Sequence, residues 1–256
     1  SAFRVRLEEM KEINRLEGQV DNSENDRVYP QKADFTFYGG LYRGVNLIIV
    51  PQSHFELGYK GTPGIKVTPI VDPECNRATV TVETWQSAEW VNISIGEQTS
   101  TVPDINVHAK AEFVLDPVHL WDGVEDPYLY TATAKLPGGD EISARFGCRR
   151  FETDPQKGFL LNGRSYPLRG GSRHQDWKGP GNALALEQHR EDMEIIREMG
   201  ANTLRLAHYQ HAQEFYDLCD EYGILVWAEI PFITMFMKKG RDNTLSQMEE
   251  LILQCY

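Results

Sequence analysis

Along this chain the spacing of apolar residues changes once, near residue 151, and that change restricts the folds it can adopt. Before it, short runs alternate with period two. They are IKVTPIV (Ile65–Val71), ATVTVETW (Ala78–Trp85) and the segments 89–95, 107–115, 128–136 and 141–147, parted by Gly, Pro, Asn and Asp. Period two places alternate side chains on opposite faces of a strand, and six or seven short strands in about 100 residues is the pattern of an immunoglobulin-like sandwich. The tryptophans of this region (Trp85, Trp90, Trp121) are expected as core anchors.

After residue 151 the period lengthens. SYPLRGG reads as a strand. LEQHREDMEIIREMG carries Leu186, Met193, Ile196 and Met199 at helical spacing, with Gly200 placed to end the helix. NTLRL reads as a strand, HAQEFYDLCDEYG as a helix ended by Gly223, ILVWAEIP as a buried strand, and LSQMEELILQCY as the start of a third helix. Strands alternating with helices build a parallel sheet. A closed (β/α)8 barrel takes about 250 residues, and about a hundred remain, so the chain is expected to be cut at both ends.

The first 55 residues read as strands and loops. Residues 21–34 are polar and turn-rich, FTFYGGLYRGVNLIIV follows, and 45–51 is expected as a buried strand, too little to close a sheet of its own. The composition is that of a globular protein, 41% hydrophobic and 25% charged, with a net charge of −12. That acidity argues against nucleic acid as partner, because phosphate binding needs basic patches. No apolar run approaches the roughly 20 residues of a bilayer span. Cys75, Cys148, Cys219 and Cys255 form no CxxC pair and are expected as buried thiols.

Three polar clusters follow the three parallel strands: RGGSRHQDW with His174 and Asp176, RLAHYQH with Arg205, His208 and His211, and WAEIPF with Glu229. Active sites of parallel α/β folds gather at the C-terminal ends of strands. Arg205, flanked by Leu204 and Leu206, is expected to be buried and paired with Glu229. His208 suits hydrogen bonding to a sugar hydroxyl, since imidazole both donates and accepts. With His174 and Asp176 or Glu229, His208 and His211 have the residue types of a metal cage. No HExxH is present, however, and His211 is expected to start a helix and face solvent, so no metal is assigned. Glu229 and Asp176 also permit the paired carboxylates of glycoside hydrolysis without selecting them.

NTLRLAHYQHAQEFYDLCDEYGILVW resembles the signature of the glycoside hydrolase family that contains β-galactosidases and β-glucuronidases, glycoside hydrolase family 2. Asn202, Arg205, His208, Tyr209, Phe215, Tyr216, Asp220, Gly223 and the run from Ile224 to Trp227 fit the pattern. Leu206 replaces a small residue, and Gln210 stands where proline is usual. VDNSENDRVYPQKADFTFYGGLYRGVNLI, WDGVEDPYLYTATAKL and RFGCRRFETDPQKGFLLNGRSYPLRGGSRHQDW extend the resemblance over nearly the whole chain, with wording closer to bacterial β-galactosidases.

The resemblance implies a multidomain β then α/β fold. Residues 1–55 would end a sugar-binding β-sandwich (a jelly-roll), 56–152 would form the immunoglobulin-like sandwich, and 153–256 would begin the (β/α)8 TIM barrel. It implies retaining chemistry by two glutamates, one after an asparagine beyond strand four and one beyond strand seven. This sequence holds no Asn-Glu dipeptide, so the chain alone is expected to be inactive and Glu229 with Asp176 is set aside as a catalytic dyad. Carried over by the resemblance are His208 as a group lining the sugar subsite, Arg205 near the catalytic carboxylates, Asp34 lent to the sugar site by the first domain, and His174 and Glu229 within family motifs.

The expected activity is cleavage of terminal β-D-galactosides. β-Glucuronidase or β-mannosidase specificity is the alternative within the family, and a non-catalytic sugar-binding module built on DFTFYGGLYRG the alternative outside it. A carbohydrate substrate is expected, with no nucleic acid or membrane partner. No cofactor is required, though Mg or Na and a homo-oligomer are compatible with the complete bacterial enzyme, cytoplasmic or periplasmic.

Overall fold

The computed structural model describes residues 4–7, 10–30, 32–58 and 60–255. A sandwich occupies its middle. One sheet has the order β1 (Ile65–Val71), β2 (Ala78–Trp85), β5 (His108–Leu115); the other runs β4 (Gln98–Pro103), β3 (Trp90–Ile95), β6 (Tyr130–Lys135), β7 (Glu141–Phe146). All pairs are antiparallel. The inward rows of the two sheets, Val67, Val80, Val82 and Phe113 facing Val91, Ile93, Ala132 and Ala134, make one buried core. Alternation located six of the seven strands. It missed β4, whose QTSTVP has no apolar period; β4 forms because Gly96, at φ 57°, opens a two-residue hairpin turn after β3.

Only one of the sandwich tryptophans is fully buried. Trp121 is enclosed, its indole Nε1 donates to the Asp220 carbonyl at 2.8 Å, and the Arg149 guanidinium lies 4.7 Å from its ring. Trp90 sits exposed at the start of β3. Of the cysteines, Cys148 and Cys219 are buried, Cys75 is half-buried and Cys255 is exposed.

A small antiparallel sheet, β8 (Phe151–Asp154), β9 (Gly158–Leu161) and β10 (Arg164–Ser165), leads into the parallel part and was not foreseen. There β11 (Gly170–Arg173), β12 (Thr203–Leu206) and β13 (Leu225–Ala228) lie side by side, with Ser172, Arg205 and Trp227 in one row and Arg173, Leu206 and Ala228 in the next. Helix α1 (Leu186–Glu198) joins β11 to β12, α2 (Gln213–Tyr222) joins β12 to β13, and α3 (Arg241–Gln254) follows. Three parallel strands with helices fit the start of a barrel, and the described residues do not close one.

Alternation along β12 gives the sheet two different faces. Leu204 and Leu206 pack with Met193, Ile196, Phe215, Leu218 and Cys219 of the helices, while Arg205 points the other way. The reading of ILVWAEIP as fully buried is corrected by the same asymmetry. Trp227, in the Arg205 row, is 68% exposed, because helices cover only one face among the described residues.

The expectation of strands in the first 55 residues is also corrected. The described residues between 4 and 54 form no strand, and the apolar run 45–51 lies open, with Ile49 85% exposed. No described strand runs beside it to take up its backbone hydrogen bonds, without which an extended run stays solvated. The segment is tied instead to the barrel part. Tyr29 is buried against Phe232 (ring centroids 5.0 Å apart), Lys239 pairs with Asp26 at 2.5 Å, and Arg43 Nη2 donates to the Gln210 carbonyl at 2.6 Å. No helix of the described residues is long and apolar enough to cross a membrane.

Candidate sugar site at the strand ends

The ends of β11, β12 and β13 bring Arg205, His208, Glu229 and His174 into one cluster. Arg205 Nε donates to Glu229 Oε1 at 2.6 Å and its Nη2 to Oε2 at 3.1 Å, a two-pronged ion pair between neighbouring strands. The pairing matches the expectation; the burial does not. The Arg205 side chain is 42% exposed and Glu229 17%, because the row they occupy faces the open side of the sheet. Burial works against the Glu229 carboxylate, but the Arg205 hydrogen bond and charge outweigh it and hold its pKa below the ordinary range. A general acid needs the opposite shift, so Glu229 is built to stay ionised.

The same guanidinium sets the proton on His208. Arg205 Nη2 lies 2.8 Å from His208 Nδ1, and Glu229 Oε2 is farther, at 3.3 Å. Arginine only donates, so the shorter contact assigns Nδ1 as acceptor and places the ring proton on Nε2. Among the described residues Nε2 has no hydrogen-bond partner, which leaves one N–H available to a ligand. The Ala207–His208 peptide is cis.

His174 stands edge-on to His208, with ring centroids 5.1 Å apart. Burial lowers its pKa, the neighbouring His208 adds to this, and Asp34 and Asp176 oppose it; the imidazole is neutral near pH 7. Asp34 therefore lies within electrostatic reach of His174. The residue beside it was missed. The Phe35 ring is 5.5 Å from His174, 6.0 Å from His208 and 5.3 Å from Tyr209, and it forms a wall of the cluster. Its adjacency to Asp34 was the available signal. Asp176 accepts from the Tyr38 hydroxyl at 3.4 Å.

His211 lies outside this cluster, and its assignment to a solvent-facing helix start is wrong. It is 1% exposed and precedes α2, which begins at Gln213. It belongs to a second, buried node on the helix side of the sheet. Arg173 there donates from Nε (2.8 Å) and Nη2 (2.5 Å) to Asp192 Oδ2, from Nη1 to His211 Nδ1 (3.1 Å) and from Nη2 to His189 Nδ1 (3.1 Å). Trp177 Nε1 donates to Asp192 Oδ1 at 2.9 Å, and the guanidinium lies 3.8 Å from the Phe215 ring centroid. Register explains the placement: Arg173 shares its row with Leu206, the row that faces the helices.

Burial pushes His211 down to about 3 and lowers His189, so both are neutral in the fold. Unfolded histidine titrates near 6.5. A depressed folded pKa means that stability is intact above about pH 6.5 and is lost as pH falls towards the folded value. His211 alone gives a slope of up to about 1.4 kcal/mol per pH unit below that point, and His189 adds to it in the same direction. The melting temperature of this chain is expected to fall steadily between pH 6.5 and 5; a flat profile there would contradict neutral buried histidines.

Among the described residues no group of three or more His, Cys, Asp or Glu side chains has the geometry of a metal site. Glu229 is committed to Arg205, and His211 to the buried node. Among the described residues no such group offers a donor set for the Mg or Na allowed for the complete enzyme, and nothing below depends on one.

Comparison with known proteins gives the family of the chain. Residues 63–149 match the family described as "Glycosyl hydrolases family 2", and residues 154–251 match "Glycosyl hydrolases family 2, TIM barrel domain". A β-glucuronidase of Bacteroides fragilis is 34% identical over 96% of this chain, and a β-galactosidase of Thermoanaerobacter pseudethanolicus 29% identical over 85%. The crystal structure of an FMN-binding β-glucuronidase from Facaelibacterium prausnitzii L2-6 superposes with a TM-score of 0.85 at 44% identity, covering 91% of this chain. The chain spans 39%, 31% and 38% of those three proteins.

Proposed function

The chain belongs to glycosyl hydrolases family 2, and from that premise we propose that the complete protein is a β-glycosidase in which this chain supplies one wall of the sugar site. The observation that carries the proposal is the convergence of Arg205, His208, Glu229 and His174 at the ends of three parallel strands, where barrel enzymes place their chemistry. In this reading Arg205, itself held by Glu229, fixes the ring of His208. His208 then offers its Nε2–H to a sugar hydroxyl, and neutral His174 and Asp34 complete the polar lining. Phe35 shields these bonds from water, which strengthens them. The glutamates that break the glycosidic bond are contributed from outside these residues.

For the substrate, the identities of the relatives support a β-glucuronide ahead of the β-galactoside suggested by the wording of the motif. The relatives at 34% and 44% identity are called β-glucuronidases, and two β-galactosidases matched over 85% and 90% of this chain stand at 29% and 31%. The β-galactoside is the second reading, supported by that motif. The test is the ratio of kcat/KM of the complete enzyme on 4-nitrophenyl β-D-glucuronide and the corresponding galactoside. A ratio above ten is expected; a ratio below one would reject the glucuronide. The 256-residue chain alone is expected to turn over neither, and turnover by it would show that the bond-breaking groups lie within it.

A further inference from the structure

Ala207, the residue before His208, has both of its backbone polar groups tied to the buried node. Its N–H donates to the Arg173 carbonyl at 3.0 Å. Its carbonyl, part of the peptide plane that enters His208, accepts from His211 Nε2 at 3.0 Å. A carbonyl oxygen cannot donate, so the proton of His211 is on Nε2 and its Nδ1 is the acceptor for Arg173 Nη1. The two bonds demand the same tautomer. Beyond the loop, the Ala212 N–H donates to Gln175 Oε1 at 2.7 Å, so the loop is pinned at its far end as well.

From these contacts we infer that His211 is a positioning residue for His208. Arg173, held by Asp192 and seated on Phe215, is the fixed anchor. His211 passes that anchor on to the Ala207 carbonyl and thereby sets where the His208 imidazole stands relative to Arg205 and Glu229. The two faces of the sheet are joined at this point, with the backbone of His208 fixed from the helix side and its ring from the open side. A purely structural role for His211 would direct its ring bonds to the helices. They go instead to Arg173 and to the loop of the site, while Met193, Leu204, Leu206 and Phe215 hold the helices to the sheet without it. The consequence for catalysis rests on the proposed function of His208; the positional consequence does not.

The experiment compares His211→Gln, whose amide can still accept from Arg173 and donate to Ala207, with His211→Met, which keeps the bulk and loses both bonds. In the complete enzyme the Met variant is expected to lose about 10–100-fold in kcat, by analogy with the loss of a hydrogen-bond partner behind a metal-ligating histidine. KM should change less than about threefold, and Gln should restore most of the rate. In the 256-residue chain, the His208 ring resonances should shift in the Met variant and stay near wild type in the Gln variant. An unshifted His208 spectrum in a folded Met variant, or equal losses in both variants, would overturn the inference. Where the Met variant does not fold, the ring-nitrogen shifts of wild-type His211 decide: a protonated Nε2 with bare Nδ1 is expected, and a protonated Nδ1 would overturn it. Should the complete enzyme cleave neither glycoside, the proposed function fails, and the spectra still decide the role of His211.

Discussion

Asp192→Ala lowers the stability of this chain by about 3–5 kcal/mol, the usual cost of leaving one member of a buried ion pair alone. Arg173 is 7% exposed and Asp192 19%, and the carboxylate takes three hydrogen bonds, two from Arg173 and one from the Trp177 indole. Removing it strands a guanidinium among Phe215, His189 and His211, none of which carries the compensating charge. For a chain of this length the loss corresponds to a drop of roughly 6–20 °C in the melting transition of the barrel part. The Arg205–Glu229 pair provides the control. Its arginine is 42% exposed, so water solvates the charge when the partner is removed, and Glu229→Gln is expected to cost no more than about 1 kcal/mol. Thermal unfolding of the two variants measures the contrast. Equal shifts would mean that burial does not distinguish the pairs.

His208→Phe in the complete enzyme lowers kcat and kcat/KM together, by about 10²–10³-fold, as expected where a hydrogen bond made to the transition state is lost. Phenylalanine keeps the ring volume against Phe35 and His174 while removing both nitrogens. The fold barely registers the change, because Arg205 retains its two bonds to Glu229. Steady-state kinetics on the preferred aryl glycoside reads the effect. A raised KM with unchanged kcat would make His208 a group that binds substrate and transition state alike, and an unchanged kcat/KM would remove it from the site.

What could be read from the sequence follows from what periodicity encodes. Six sandwich strands, β12, α1 and α2 stood out because each buries one face, and burial of one face imposes a period; β13 stood out as a short apolar run. β4 lacked that signal, since a polar edge strand buries little. The 45–51 run misled for the converse reason: apolar content specifies burial only where a partner surface exists, and the described residues supply none. At the site, Arg205–Glu229 was recoverable because a charge flanked by leucines needs a partner one strand away. The Arg173 node was not. Its carboxylate comes from the middle of α1, and that helix was read only for Leu186, Met193, Ile196 and Met199. Two of these, Leu186 and Met199, are exposed, whereas His189, four residues before Met193 on the same stripe, is buried. A histidine in register with a buried apolar stripe was the clue to a polar node beneath it. His211 was misplaced because helical spacing does not fix the first residue of a helix.

Two adjacent residues of β12 serve different purposes: Arg205 faces the open side, and Leu206 the helices. This divides the substitutions open to a designer. Exchanging side chains in the loops beyond the strand ends alters the lining of the candidate site and leaves the two faces of the strand in place. Inserting or deleting one residue within Thr203–Leu206 does something else, because it swaps the faces of every position after it. Such an indel would drive a guanidinium into the packed layer and present a leucine to the ligand. The candidate site can therefore be varied by point changes at the rim, and a shift of frame inside the strand destroys site and core at once.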